Sequence, residues 1–377
     1  MITDKKMVLK SILESTEGIH LTAYLVNRGD LSDLKSQLME TLNEAYEFLH
    51  VAQTLEERNK FLSPLYSLLD DAQILKSING NIGLFRTKKS FRVINVPIEV
   101  ERQCHIATSF HVKPLLRWMQ FNKDFFLVGL EQDAAHLYVG NQNSLQRFDS
   151  IIFPDEFPSE DSLDASHRQK KSKNINFMLD ETSDWLSDWF DQTSPSSNSR
   201  LFLAGEKPLV EELIRRTRFK NVVATPVSIS FDEHNLSEIC HTIRTCLRKE
   251  AKDTLEQAFI EFNMAEEENR GKRNIFEIAK AAIRGRVKKL IIADGINVFG
   301  KIDKKTGDLA IHPFDLDHED DDILDDLAQT VLASGGEVVI APREEIPKER
   351  PALAILEGVG KDFKSDRRNS NEKIHFH

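Results

Sequence analysis

The sequence predicts a mixture of α/β and α+β folds spread over several domains. Three observations carry this. A chain of 377 residues exceeds what one hydrophobic core usually organises. In its second half, β-prone runs alternate with segments of helical periodicity, the grammar of an α/β layer. In its first hundred residues a strand, two helical stretches and two further strands follow one another without that alternation, which is α+β.

The first segment, 1–103, opens its ordered part at His20-Leu21-Thr22-Ala23-Tyr24-Leu25-Val26, a β-prone run ended by the turn residues Asn27-Arg28-Gly29-Asp30. Leu31, Leu34, Leu38, Leu42, Ala45 and Leu49 recur at helical spacing, predicting a helix to about Arg58, with Asp30 or Ser32 as its cap. A second helical stretch is expected over 59–76. Strands follow at 82–86 and 91–96, the latter stopped by Pro97.

The second segment, 104–250, holds a short helix, a hairpin made from 125–131 and 136–139, and a strand at 151–153. Between 154 and 176 the chain is polar and is expected to be a long exposed loop carrying His167, Arg168, Lys170, Lys171 and Lys173. A helix over 177–191, a break at Ser194–Ser199, a strand at 201–204, a helix from Pro208, a strand at 221–227 and a long helix over 233–262 complete it. The third segment, 251–357, repeats the alternation: helix 274–284, strand 287–293, a hairpin around Lys304-Lys305-Thr306-Gly307, helix 321–334 ending at Gly335-Gly336, and strand 337–341. The last residues, 358–377, read as a disordered tail.

Composition excludes more than it identifies. Lys and Arg total 50 against 61 Asp and Glu, a net charge of −11. Indiscriminate coating of nucleic acid is therefore disfavoured, while a local basic patch still acts within a Debye length of about 8–10 Å. No apolar run approaches the ~18 residues of a membrane span. The start lacks an export signal, and three cysteines without a Cys-x-x-Cys pair suit a reducing cytoplasm without structural zinc.

Several motifs suggest chemistry and fail on inspection. Gly295-Ile296-Asn297-Val298-Phe299-Gly300-Lys301 matches Gly-x4-Gly-Lys after an apolar strand, yet Ile302 stands where a phosphate loop needs Ser or Thr, and a hairpin follows instead of a helix. Asp315–Asp326 carries eight acids in twelve residues without the spacing of a calcium loop; it reads as a solvated helix start whose acids favour the dipole. The histidines at 105, 111, 234 and 241 lack the i,i+4 spacing of metal ligands. No catalytic residue, metal site or cofactor is expected. Three basic clusters remain as phosphate contacts: the run at 168–173; Arg215, Arg216, Arg218 and Lys220; and Arg270, Lys272 and Arg273 with Arg284, Arg286, Lys288 and Lys289 beyond.

Certain strings resemble a known group. They are Ala281-Ala282-Ile283-Arg284-Gly285-Arg286-Val287-Lys288-Lys289-Leu290-Ile291-Ile292-Ala293, Phe299-Gly300-Lys301-Ile302-Asp303, Asp322-Ile323-Leu324-Asp325-Asp326-Leu327-Ala328, Gly335-Gly336-Glu337-Val338, Phe110-His111-Val112-Lys113-Pro114-Leu115-Leu116 and Leu201-Phe202-Leu203-Ala204-Gly205. Together they resemble the archaeal and eukaryotic class-one peptide chain release factors and Pelota, and above all their bacterial relatives, the group that includes the ribosome hibernation factor Balon. The resemblance implies a three-domain release-factor/Pelota-like architecture over about 15–357, with a decoding-centre-like N-terminal domain. One departure matters. Such release factors act through a Gly-Gly-Gln loop on the middle domain, expected here within 154–176, where there is no glycine. Without it the geometry for peptidyl-tRNA hydrolysis is missing.

What the resemblance then implies is a non-catalytic, cytoplasmic hibernation or stress factor occupying the ribosomal A site. Ribosomal RNA would be met by His167, Arg168, Lys170, Lys171 and Lys173, and secondarily by Arg215, Arg216, Arg218 and Lys220. Relatives of Balon bind ribosomes alongside elongation factor EF-Tu, which makes that factor a partner the resemblance implies. Two other readings stay open from sequence: a Pelota-like rescue factor, nuclease or peptidyl-tRNA hydrolase, and a stress-linked RNA or protein adaptor sharing the fold.

Overall fold

A computed structural model describes residues 9, 12, 18–50, 53–78, 80–96, 99–121, 124–131, 133–141, 144–153, 167–193, 199–217, 222–312 and 321–358. The expected tail from 359 onward, Arg218, Lys220, and acids 315–320 lie outside the described residues. The chain forms two compact units: residues 1–95, 100–117 and 255–377 make the first, and 96–99 with 118–254 the second. The boundary expected at 103/104 falls inside a strand of the first unit.

The first unit begins with β1 (His20–Leu25), α1 (Leu31–Leu49), α2 (Leu55–Asp70), α3 (Ala72–Ser77), β2 (Asn81–Arg86), β3 (Phe91–Val96) and β4 (Gln103–Ala107). Asp30 caps α1 by accepting from Ser32 N–H. The helix expected to run to 58 stops at Leu49 because Thr54 starts a new one with a full capping box to Glu57. The strands form an antiparallel sheet in the order β3-β2-β1-β4. Leu34, Leu38, Leu42 and Leu49 of α1 and Leu62 and Leu65 of α2 cover it, together with Leu21, Ala23 and Leu25 of β1. Next in the chain is α4 (Lys113–Phe121), whose residues up to Arg117 belong to this unit.

The second unit holds β5 (Phe125–Leu130), β6 (Ala134–Gly140), β7 (Leu145–Ile152), α5 (His167–Thr193), β8 (Ser199–Ala204), α6 (Lys207–Arg216), β9 (Val222–Val227) and the first part of α7 (Leu236–Glu267). Its sheet runs β7-β6-β5-β8-β9, with β5, β8 and β9 parallel and β6 and β7 antiparallel. The fully apolar Phe125-Phe126-Leu127-Val128 is explained by burial on both faces. Phe126 and Val128 meet Leu179, Leu186 and Phe190 of α5 and Val210 and Leu213 of α6. Phe125 and Leu127 share the other face with Ile239, Ile243 and Leu247 of α7. The expected loop at 154–176 is corrected in part: 154–166 lie outside the described residues, and 167–176 are helical. Lys, Arg, Gln and Met are strong helix formers, and after Pro158 nothing in the sequence breaks a helix before Pro195.

The first unit resumes with the end of α7, then β10 (Gly271–Lys272), α8 (Ile275–Ile283), β11 (Val287–Ala293), β12 (Phe299–Ile302), β13 (Leu309–Ile311), β14 (Asp321–Asp322), α9 (Ile323–Ala333), β15 (Glu337–Ala341) and β16 (Ala352–Leu356). The main sheet here is β10-β16-β11-β15, with β11 and β15 parallel. Leu255, Ala258, Phe262 and Ala265 of α7 pack on Ile291, Val339, Leu353 and Ile355. The Gly-x4-Gly-Lys match resolves as read. Gly300 lies in β12, paired with Ile311, and a Cβ there would stand 2.0 Å from the Ala310 carbonyl oxygen. Among the described residues no helix is long and apolar enough to cross a membrane.

Candidate functional site

Inside the first unit, two stretches that lie about two hundred residues apart in sequence meet in a buried ionic joint. Phe110 to Lys113 leads into α4, and Asp322 to Gln329 opens α9. Asp322 caps α9, accepting from Leu324 N–H, as an acid at a helix start should. The same carboxylate receives the Lys113 ammonium, which also donates to Ile296 O and, at 2.8 Å, to Asn297 Oδ1. All three ammonium protons are thus used.

One turn on, Asp325 Oδ1 accepts the backbone N–H groups of Val112 at 2.8 Å and Lys113 at 2.9 Å, while Oδ2 takes His111 Nδ1. His111 is fixed from its own side too: its N–H donates to Thr22 Oγ1 at 3.0 Å, and its carbonyl accepts from Tyr24 Oη at 2.9 Å. Gln329 Nε2 donates to Phe110 O, and Arg117 pairs with Asp294 at 2.8 Å. His105 of β4 stacks on His111 with ring centroids 4.2 Å apart. A pocket of about 20 Å³, room for a single water, is lined among others by His105, Ser109, His111, Asp322 and Asp325.

The electrostatics follow from burial and company. Burial alone would raise Asp325, but His111, Lys113 and the Val112 N–H together hold its carboxyl below the usual carboxylate range. Burial and the neighbouring His111 push His105 down to about 3. Burial likewise lifts Tyr24 well above a free phenol. His111, Asp322 and Asp325 each offer a ligand atom within 4.8 Å of the others, the spacing of a small metal site. Here those atoms already answer the Lys113 ammonium, an imidazole and four backbone N–H groups. The arrangement ties segments together and orients them.

Sequence reasoning treated Asp322 and Asp325 as part of a solvated helix start. The structure corrects that: both are buried, at 9% and 2% exposure, because Lys113 and His111 arrive to meet them. The helix-start part of the reading stands. Phe110–Leu116 and Asp322–Ala328 were both singled out as strings of the resemblance; their meeting was not foreseeable from spacing.

The basic clusters separate. His167, Arg168, Lys170, Lys171 and Lys173 lie in α5. Arg215 pairs with Glu212, and Arg216 bridges Glu212, Asp180 and the Asn176 side chain. Arg270, Lys272 and Arg273 are each answered by an acid, Glu268, Glu277 and Glu266. Lys289 pairs with Glu261 and Glu337.

Residues 124–286 match the family model of bacterial archaeo-eukaryotic release factor family 3. The resemblance to bacterial relatives of the archaeal and eukaryotic release factors therefore holds over that span. No curated protein matches the sequence. Among solved structures, the chain is similar to an archaeal translation termination factor at 15% identity, covering 94% of this chain and 97% of that one with a TM-score of 0.25. It is similar to Dom34 of S. cerevisiae at 14% identity, 71% and 72% coverage and a TM-score of 0.39. To an archaeal Pelota, in a model of its ribosome-bound complex with ABCE1, it stands at 13%, 71%, 72% and 0.41. At such scores these likenesses support no residue assignment.

Proposed function

We propose that the protein is a cytoplasmic, non-catalytic ribosome-binding factor that occupies the A site as a hibernation or stress factor of the group that includes Balon. One observation carries the reading. The span matched to a release-factor family contains no glycine between Gly140 and Gly205, the stretch in which a Gly-Gly-Gln loop would fall. A release-factor-related chain without the backbone freedom and the amide of that loop retains binding and loses the means of placing a water on the ester.

In this reading ribosomal RNA is contacted by His167, Arg168, Lys170, Lys171 and Lys173 of α5, and EF-Tu is a companion on the ribosome. Arg216 is a weaker contact than its position suggests, since its guanidinium is already engaged by Glu212 and Asp180. The test is a sucrose-gradient profile of the tagged protein from growing and starved cells, with a peptide-release assay on loaded ribosomes. The protein is expected with 70S particles or 50S subunits from starved cells, and to release no peptide. Multiple turnovers of release would overturn the occupancy reading. The variant Arg168→Ala/Lys170→Ala/Lys171→Ala/Lys173→Ala should bind ribosomes more weakly, with a salt dependence about four contacts shallower. Unchanged affinity would remove the α5 contact while leaving the family resemblance intact.

A further inference from the structure

We infer that Arg284, Arg286 and Lys288, at the turn from α8 into β11, form a second RNA-backbone contact that grips phosphate groups of a structured RNA. The inference rests on the ribosome-binding reading but assigns a surface outside α5. Seven cations of the third basic cluster looked alike in sequence, and the structure sorts them. Arg270, Lys272, Arg273 and Lys289 each have a carboxylate partner within 3.3 Å. Arg284, Arg286 and Lys288 are exposed and make no ion pair among the described residues.

Their backbone is held in a specific way. Arg284 terminates α8, and Gly285, at φ +63°, turns the chain so that Arg286 N–H returns to Ala281 O at 3.0 Å. Arg286 O accepts from Glu357 N–H at 3.0 Å, pinning the residue to the chain just after β16. Val287 is buried against the sheet. The register against β16 then slips: Val287 opposes Leu356, and Lys289 opposes Ile355, which leaves Lys288 as the extra residue of a β-bulge. Lys288 projects to solvent beside the buried Val287, the outward position that strand alternation gives it, while Lys289 on the other side is half-buried against Glu261 and Glu337.

The result is two guanidinium groups and one ammonium on backbone held by hydrogen bonds, with Arg286 and Lys288 flanking the buried Val287 at the start of β11. Guanidinium forks suit phosphate oxygens, and rigid placement lowers the entropy lost on contact. Three acids stand near the patch: Glu261 of α7 and Glu337 of β15 pair with Lys289, Glu261 also feels the Lys288 charge, and Glu357 follows β16 beside Arg286. In a chain of net charge −11 such a patch acts only locally, so it favours a docked polyphosphate backbone over loose attraction.

The test measures binding of the full chain to a labelled ribosomal RNA hairpin between about 50 and 200 mM salt. Arg284→Ala/Arg286→Ala/Lys288→Ala should lower affinity and reduce the log–log salt slope by about two, at 0.7–0.9 per phosphate contact. The charge-preserving Arg284→Lys/Arg286→Lys/Lys288→Arg should keep the slope. Arg270→Ala/Lys272→Ala/Arg273→Ala, which removes the same charge from paired positions, should leave it nearly unchanged. Unfolding as a cause is excluded by equal melting temperatures of the wild type and the first variant. An unaltered slope in the first variant, or an equal loss in the paired-site variant, overturns the inference. So does a wild type that does not bind the hairpin. Ribosome co-sedimentation of the first variant is scored separately, and only absence of the wild type from ribosomes counts against the broader reading.

Discussion

The buried joint of the first unit and the Arg216 network of the second use the same ionic chemistry in opposite surroundings. Lys113 and Asp322 have side chains only 4% and 5% exposed, and every donor of the ammonium is satisfied. Arg216 and Asp180 are 21% and 66% exposed. In the joint, burial leaves room for at most a single water to replace a lost partner; at Arg216 solvent reaches the acids freely. The contrast teaches that the number of ion pairs says little about stability, and that their burial decides what each removal costs.

The largest effect is expected at Lys113. Lys113→Met strips the charge from a site where Asp322 cannot be solvated, and should cost about 3–5 kcal/mol in urea unfolding. Adding Asp322→Asn, which keeps a side-chain acceptor for Leu324 N–H but removes the orphaned charge, should recover most of that loss. If the double variant is as unstable as the single one, the cost belongs to packing of the lysine stem rather than to charge.

The second effect is on pH dependence and concerns the joint alone. His105 is held near 3 in the folded chain, against about 6.5 for an unfolded histidine. Between those values the unfolded chain binds a proton that the folded one does not. Stability therefore falls as pH is lowered from about 6.5 towards 3. Asp325, depressed in the folded state, adds a further loss only below the ordinary aspartate value of about 3.9. His105→Gln should flatten the first limb of a melting-temperature profile and leave the second. A profile of unchanged shape would show that the imidazole does not carry the acid sensitivity.

How much of this was legible in sequence depends on range. Elements set by local signals were: the apolar period of α1, the two-faced run at Phe125–Leu130, the glycine ending α9, and the hairpin that unmakes the Gly-x4-Gly-Lys match. The Thr54–Glu57 capping box was equally local and was overlooked, which put the break between the first two helices near 58 instead of between Leu49 and Leu55. The helix at 167–176 was missed because charge and polarity suggested a loop, although its residues favour helix. The joint was not readable at all. Asp322 looked like a helix cap, which it is, but nothing local says that a lysine 209 residues away will lie on it. For the same reason sequence could not sort the paired cations at 270–273 from the unpaired ones at 284–288. Glu268, Glu277 and Glu266, the partners of Arg270, Lys272 and Arg273, come into reach only through the turn from α7 by way of β10 into α8.

The smallest effect is expected at Arg216, and it closes the comparison from the solvent side. Its guanidinium touches Glu212, Asp180 and Asn176. Yet the acids are reachable by water and salt, so each contact exchanges for a hydrated one when the arginine is removed. Arg216→Ala should cost about 1 kcal/mol or less, part of it from the lost stem across α5 and α6, and the cost should shrink further at high salt. Thermal melts of wild type and variant at low and high ionic strength measure it. A loss as large as that of Lys113→Met would mean that the network acts as a tightly coupled unit, and that exposure alone does not separate the two regions.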